Sequence, residues 1–174
     1  MKQLKSLGLV TVLLVLVLTL IGLMLSNEYT VVRSIVIDAS PNAIHTYTND
    51  LKQWPKWTPW QDNASTVTTY GDISEGVGAV QLWTGEQGRG SLNITASSAD
   101  TGVEYDLIFD DVAVKTSGSL HYTLQDNGTV ITWTMNGSLP YPVVGSYLAL
   151  MMDSKMGQDF ERGLVRLKTL AEAP

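Results

Sequence analysis

Residues 50–60 read Asp-Leu-Lys-Gln-Trp-Pro-Lys-Trp-Thr-Pro-Trp, which sets Trp54, Trp57 and Trp60, three of the chain's five tryptophans, within seven residues. Tryptophan is a large apolar surface with one N–H to satisfy, so three this close together need a specific packed or concave setting. Pro55 and Pro59 disfavour helix at their own positions and at the residue before each, so the segment interrupts any helix entering it. A fold that hides indoles around a hollow is the expectation; the segment does not name what the hollow holds.

Working outward toward the N-terminus, residues 30–37 are β-rich (Val31, Val32, Ile35, Val36, Ile37) and stop at Asp38-Ala39-Ser40-Pro41. Ser40 before Pro41 is an N-cap with proline at the first helical position, which predicts a short helix over 41–49. On the other side, β-type runs recur at 66–70, 78–84, 91–97, 103–109, 112–125 and 129–137, with Asp126-Asn127-Gly128 as a hairpin turn. Val103, Tyr105, Leu107 and Phe109 alternate with Glu104, Asp106 and Asp110, so one face is buried and the other wet. Leu120, Tyr122 and Leu124, and Ile131, Trp133 and Met135, are expected to continue the buried face. The 78–84 strand is ambiguous, because the Ala79, Gln81, Trp83 set and the Val80, Leu82, Thr84 set both suit half-burial. From about 145 to 171, Leu148, Met152, Met156, Phe160, Leu164, Leu167 and Ala171 recur at spacings of three and four, one apolar stripe on a long helix. The order strand, helix, helix, six strands, long helix gives an α+β class, an antiparallel sheet wrapped around its terminal helix. Gly157 and Gly163 inside that helix fit a bend or a close approach to the sheet.

Residues 7–25 carry no charge and are dominated by Leu and Val. Nineteen helical residues reach roughly 28 Å, close to the ~30 Å hydrocarbon core of a bilayer. A cleaved signal would have a shorter apolar stretch and a small-x-small exit site, and neither is evident, so an uncleaved transmembrane anchor is the expectation. Lys2 and Lys5 precede the span and the next basic residue is Arg33. The expected topology is single-pass in an inner (cell) membrane, with residues 1–6 cytoplasmic and the domain periplasmic. Residues 26–30 form a linker of at most roughly 17 Å, which holds a domain over 31–172 against the bilayer. A cavity opening there would exchange a lipophile with the membrane. All 17 acidic residues follow the span. The exported part is therefore negative, which argues against a nucleic-acid partner and requires any lipid contact to be apolar or local.

Ser-Pro-Asn-Ala-Ile at 40–44, Asn-Asp-Leu-Lys-Gln-Trp-Pro-Lys-Trp-Thr-Pro-Trp at 49–60, Gly-Thr-Val-Ile-Thr-Trp-Thr-Met at 128–135 and Gly-Gln-Asp-Phe-Glu-Arg-Gly-Leu at 157–164 resemble the START-like (SRPBCC) superfamily. The likeness is to its bacterial polyketide cyclase/dehydrase-type members. The resemblance implies a helix-grip fold with a deep apolar cavity between sheet and final helix. Different members use that cavity for lipids, hormones, polyketides or partner proteins, so fold and function stay separate.

Two histidines and no cysteine leave too few ligands for a zinc site, and no phosphate loop, dinucleotide fingerprint or nucleophile elbow is present. No catalytic residue, metal or cofactor is expected. His121 alternates with inward Leu120 and Tyr122 and reads as a surface residue; His45 stands where the family usually has an apolar or aromatic residue, either at a cavity mouth or as a partly exposed helix residue. Adjacent Asp110 and Asp111 point to opposite faces and read as a bulge or turn. The candidate ligand-binding set is Trp60, Trp83, Tyr105, Phe109, Tyr122, Trp133, Met135, Met152, Met156, Phe160 and His45. Each is either solid core or cavity wall, the methionines offering adaptable surface and Tyr or Trp a polar handle. The leading expectation is a membrane-anchored domain binding a hydrophobic small molecule or lipid. One alternative is a cyclase, dehydratase or hydrolase in the same cavity, with Tyr105, Tyr122 and His45 as its polar actors. The other is a protein-interaction module, which solvent-facing Val80 and Leu82 would favour.

Overall fold

A computed structural model describes residues 2–62, 65–86, 88–110 and 114–173. Helix α1 (Lys2–Met24) leads into strand β1 (Glu28–Ile37), and α2 (Pro41–Thr48) follows. The Ser40 hydroxyl accepts from the Ala43 N–H with Pro41 opening the helix, the cap that the Ser-Pro pair encodes. Strands β2 (Val67–Tyr70), β3 (Val80–Gly85), β4 (Gly88–Ser98), β5 (Gly102–Phe109), β6 (Val114–Gln125) and β7 (Gly128–Ser138) precede α3 (Val144–Ala171). The strands form one antiparallel sheet in the order β1-β7-β6-β5-β4-β3-β2, so β1 closes beside the last strand.

Between α2 and β2, where a second helix was expected, lie two 3-10 turns, Trp54–Lys56 and Pro59–Gln61. Each has a proline in its first turn, which is compatible with starting a turn but not with continuing a helix. Helix α3 packs on β1 and β7 at one end of the sheet. The turns fill the space beside it, and the inner face of β3 to β5 remains under them. The core joins Val31, Ile37, Ile44, Leu51, Leu92, Ile94, Leu120, Ile131, Phe160, Leu164 and Leu167 to the buried tryptophans. Each large apolar side chain buried this way contributes about 1.5–3 kcal/mol.

Glycines let α3 approach closely. A Cβ at Gly163 would stand 2.9 Å from Trp133 Cζ3, and one at Gly157 would stand 2.0 Å from Arg33 Nη2. The two glycines mark close approach. Arg33, in the edge strand β1, reaches over α3 to Asp153 (2.8 Å) and Glu161 (2.7 Å).

Two expected core positions are exposed. Leu124 is 71% exposed, because β5 pairs with β6 only between Val114 and His121 and the rest of β6 runs past it beside β7 alone. Leu148 is also exposed; the first turns of α3 bury Gly145, Ser146 and Ala149 instead. The ambiguous strand resolves with Ala79 and Gln81 inside, Trp83 half-buried and Leu82 outside. Asp110 lies in a turn after β5, and Asp111 falls outside the described residues.

Candidate functional site

The 3-10 turns aim the tryptophans. Trp54 and Trp57 are fully buried, with their indole N–H groups donating to the Thr48 carbonyl (2.9 Å) and the Tyr47 carbonyl (3.0 Å) at the end of α2. Those bonds satisfy the polar cost of burying each indole. Trp133 on β7 stacks on Phe160 of α3 at 4.0 Å between ring centroids and donates to the Tyr105 hydroxyl at 2.7 Å. Trp57 and Trp60 lie 5.2 and 5.3 Å from Trp133. The result is a continuous aromatic wall between helix and sheet.

On the far side of that wall is a cavity of about 540 Å³. Trp60 and Pro59 form one side, Met156 of α3 another, and Trp83, Leu92, Leu107, Phe109 and Met135 the floor on the sheet. Trp83 and Phe109 meet edge to face at 5.6 Å. Asp62, Asp159 and Arg162 stand at the rim, where Asp62 accepts two bonds from Arg166 (both 2.8 Å) and Asp159 accepts from Arg162. Arg166 holds the Asp62 carboxyl below the usual carboxylate range.

Gln81 is the exception in this apolar floor. It is 6% exposed, lines the cavity, and its Oε1 has no hydrogen-bond partner among the described residues. An unpaired buried amide oxygen costs about 1–3 kcal/mol, which makes Gln81 the polar point of the cavity floor at which a donor would be accommodated. Gln81 was not in the candidate set; its place between inward Ala79 and Trp83 on an alternating strand was the available signal.

Of the eleven candidates, Trp60, Trp83, Phe109, Met135 and Met156 line the cavity. Tyr105, Trp133 and Phe160 are buried behind the wall, held by their mutual stacking and hydrogen bonding. Met152, one turn before Met156, packs on the core away from the cavity. Tyr122 and His45 lie elsewhere, between α2, β4 and β6: His45 Nδ1 is 3.4 Å from the Tyr122 hydroxyl, and its Nε2 is 3.3 Å from Ser97 Oγ. The Ser97 hydroxyl donates to Asn49, and Thr48 pairs with Tyr122. This is a structural tie between helix and sheet. Burial lowers the His45 pKa and pushes Tyr122 up to about 12; burial also raises Tyr105 strongly, so both phenols stay protonated. His121 is exposed on the outer face of β6. No group of three or more His, Asp or Glu suited to a metal occurs among the described residues.

A seven-stranded antiparallel sheet gripping a C-terminal helix over an aromatic cavity defines the START-like, helix-grip class of ligand-binding domain. Over residues 28–172 the chain matches the family described as polyketide cyclase / dehydrase and lipid transport, and it belongs to that family. Among curated proteins none is similar enough in sequence to count as a relative. Solved structures share the fold at low identity. Protein CV1439 from Chromobacterium violaceum is 14% identical with a TM-score of 0.62, over 83% of this chain and 98% of that one. StfQ, a di-domain ARO/CYC from the steffimycin biosynthetic pathway, is 10% identical with a TM-score of 0.65, over 83% of this chain and 51% of that one. The Aha1 protein of Colwellia psychrerythraea, solved as a dimer, is 17% identical with a TM-score of 0.56, over 82% of this chain and 96% of that one.

Proposed function

We propose that this protein binds a hydrophobic small molecule or lipid carrying a hydroxyl or amine donor, and does so from a membrane anchor formed by residues 7–25. The observation that carries the reading is Gln81 Oε1, an acceptor without a partner among the described residues, in a floor of Trp83, Leu92, Leu107 and Phe109. An apolar cavity of about 540 Å³ with a few convergent polar groups suits a drug-sized or acyl-chain ligand. The family's description, polyketide cyclase / dehydrase and lipid transport, supports the same ligand class.

The anchor rests on Ser6–Met24, a helix long and apolar enough to cross a membrane and almost wholly unburied by the rest of the chain. Lys2 and Lys5 before it favour a cytoplasmic N-terminus and a periplasmic domain. Of the polar actors expected for acid–base chemistry, Tyr105, Tyr122 and His45 are engaged away from the cavity, and the carboxylates at its rim, Asp62 and Asp159, are paired with Arg166 and Arg162. One observation favours a protein partner: Leu82 is exposed on the outer sheet face, beside exposed Ile108 two strands away.

Native mass spectrometry of the full chain, purified in mild detergent and followed by solvent extraction, tests the reading. A stoichiometric lipophile with an O–H or N–H donor is the expected result. Repeatedly empty protein that also fails to take up hydroxylated probes would overturn it.

A further inference from the structure

Helix α1 does not simply end in a tether. The Tyr147 hydroxyl of α3 donates to the Leu18 carbonyl of α1 at 2.7 Å, and Ser146 Oγ donates to the Leu25 carbonyl at 3.2 Å. Gly22 makes the seat: a Cβ there would stand 2.7 Å from Val143 Cγ1 and 2.9 Å from the Tyr147 ring. Val143, the residue before α3, holds φ at 63°, a conformation that a β-branched residue rarely adopts, and presents its side chain to that notch. At 1.5 Å per residue the Leu18 carbonyl lies roughly 9 Å inside the end of α1. The surface of α1 stays apolar and exposed through Leu20, Ile21, Leu23 and Met24. The first turn of α3 is thus fixed beside a stretch of α1 that is itself apolar on every free side.

The outward face of α3 changes character at the same place. Val144, Leu148 and Met151, at i, i+4 and i+7, form one exposed stripe; Leu150 is exposed about 100° round the helix from Met151, and Tyr141 is exposed just before the helix. Residues 127–152 contain no charge; Asp153 is the first, and Lys155 follows on the stripe. Beyond that point the exposed face of α3 is mostly polar.

We infer that residues 141–151 are a second membrane-contacting element, with the first two turns of α3 immersed in the headgroup and acyl boundary beside the span. The occupant of this face is the bilayer, because the same turns are bonded to α1 within its apolar length. An interfacial helix buries its apolar face about 5–10 Å, the depth that the Tyr147 to Leu18 bond sets. Tyr141 and Tyr147 have the amphipathic rings favoured at that boundary. The negative domain gains no attraction from anionic lipid, so the contact that α3 makes beside the span is apolar. The inference rests on residues 7–25 crossing the membrane.

The chain has no cysteine, so single cysteines report cleanly. Leu148→Cys and Met151→Cys are labelled with bimane in the full chain, reconstituted in phosphatidylcholine and phosphatidylglycerol vesicles with brominated acyl chains. Val15→Cys in the span and Val165→Cys, on an exposed apolar site farther along α3, are the references. The expected result is loss of emission at 15, 148 and 151 but not at 165. Loss at 15 alone overturns the immersion and leaves the span standing; no loss at 15 overturns both. Emission at 148 and 151 that is shielded from aqueous iodide yet unaffected by brominated lipid assigns the face to a second copy and also overturns it.

Discussion

Gln81 carries the sharpest expectation at the scale of single residues. Replacing it by Leu removes a buried amide whose oxygen has no partner among the described residues, so the Gln81→Leu protein should melt higher, by about 1 kcal/mol in stability. The same change should erase a preference of about 2- to 10-fold for 1-hydroxypyrene over 1-methoxypyrene, the range of one hydrogen bond, read by fluorescence titration. Equal affinities of the unmodified protein for the two probes would remove the donor from the proposed ligand. His45 gives a pH signature. Burial depresses its pKa, so the unfolded chain takes up a proton before the folded one does. Stability is full above the ordinary imidazole range near pH 6.5 and falls as pH drops toward the depressed value. His45→Gln should flatten the loss of melting temperature between pH 7 and 5, and an unchanged slope would assign that loss to the carboxylates. Residue roles were the least legible part of the sequence. Alternation gives the side of the sheet a residue faces, but Tyr105 and Phe109 share that side and only Phe109 reaches the cavity, because Trp54 packs against Tyr105. Which inward residue meets empty space depends on what sits above it, and that is fixed by side chains distant in sequence.

Elements were more legible. Periodicity and turn signals located each strand to within a few residues, since one-sided burial stamps a period of two on the chain. What failed was the ends: Leu124 fits the period but outruns its neighbouring strand, and Leu148 fits the helical stripe but sits where α3 meets α1 and not the sheet. Gly163→Ala tests the close approach of α3. Helix propensity favours the change by about 1 kcal/mol. The added methyl would press on Trp133, which is stacked on Phe160 and cannot retreat, at a cost of about 1–3 kcal/mol. Denaturant unfolding should show net destabilisation; a stabilised variant would mean that the wall yields.

For the whole molecule, the cavity and the span lie toward different ends of α3. Met156, Asp159 and Arg162 line the cavity 12 to 18 residues beyond Val144, roughly 18–27 Å along the helix. Inserting a Gly-Ser spacer between Asn27 and Glu28 should therefore leave the affinity for 1-hydroxypyrene unchanged, while loosening the contacts of Asn27 with Leu139 and of Tyr147 with Leu18. A weakened affinity would place the opening at the membrane, the arrangement that the short linker alone suggested. The overall grip of sheet on helix was readable from element order, but the position of the hollow along α3 was not, since it follows from where the Trp-Pro turns stop. Those turns have an optical consequence. Trp54, Trp57, Trp133 and Trp60 succeed one another with centroids 5.1 to 5.3 Å apart, and only the last faces the cavity. Excitation absorbed anywhere in the series migrates between rings this close, so a guest that quenches Trp60 darkens all four indoles and the polypeptide signals its own occupancy without a dye.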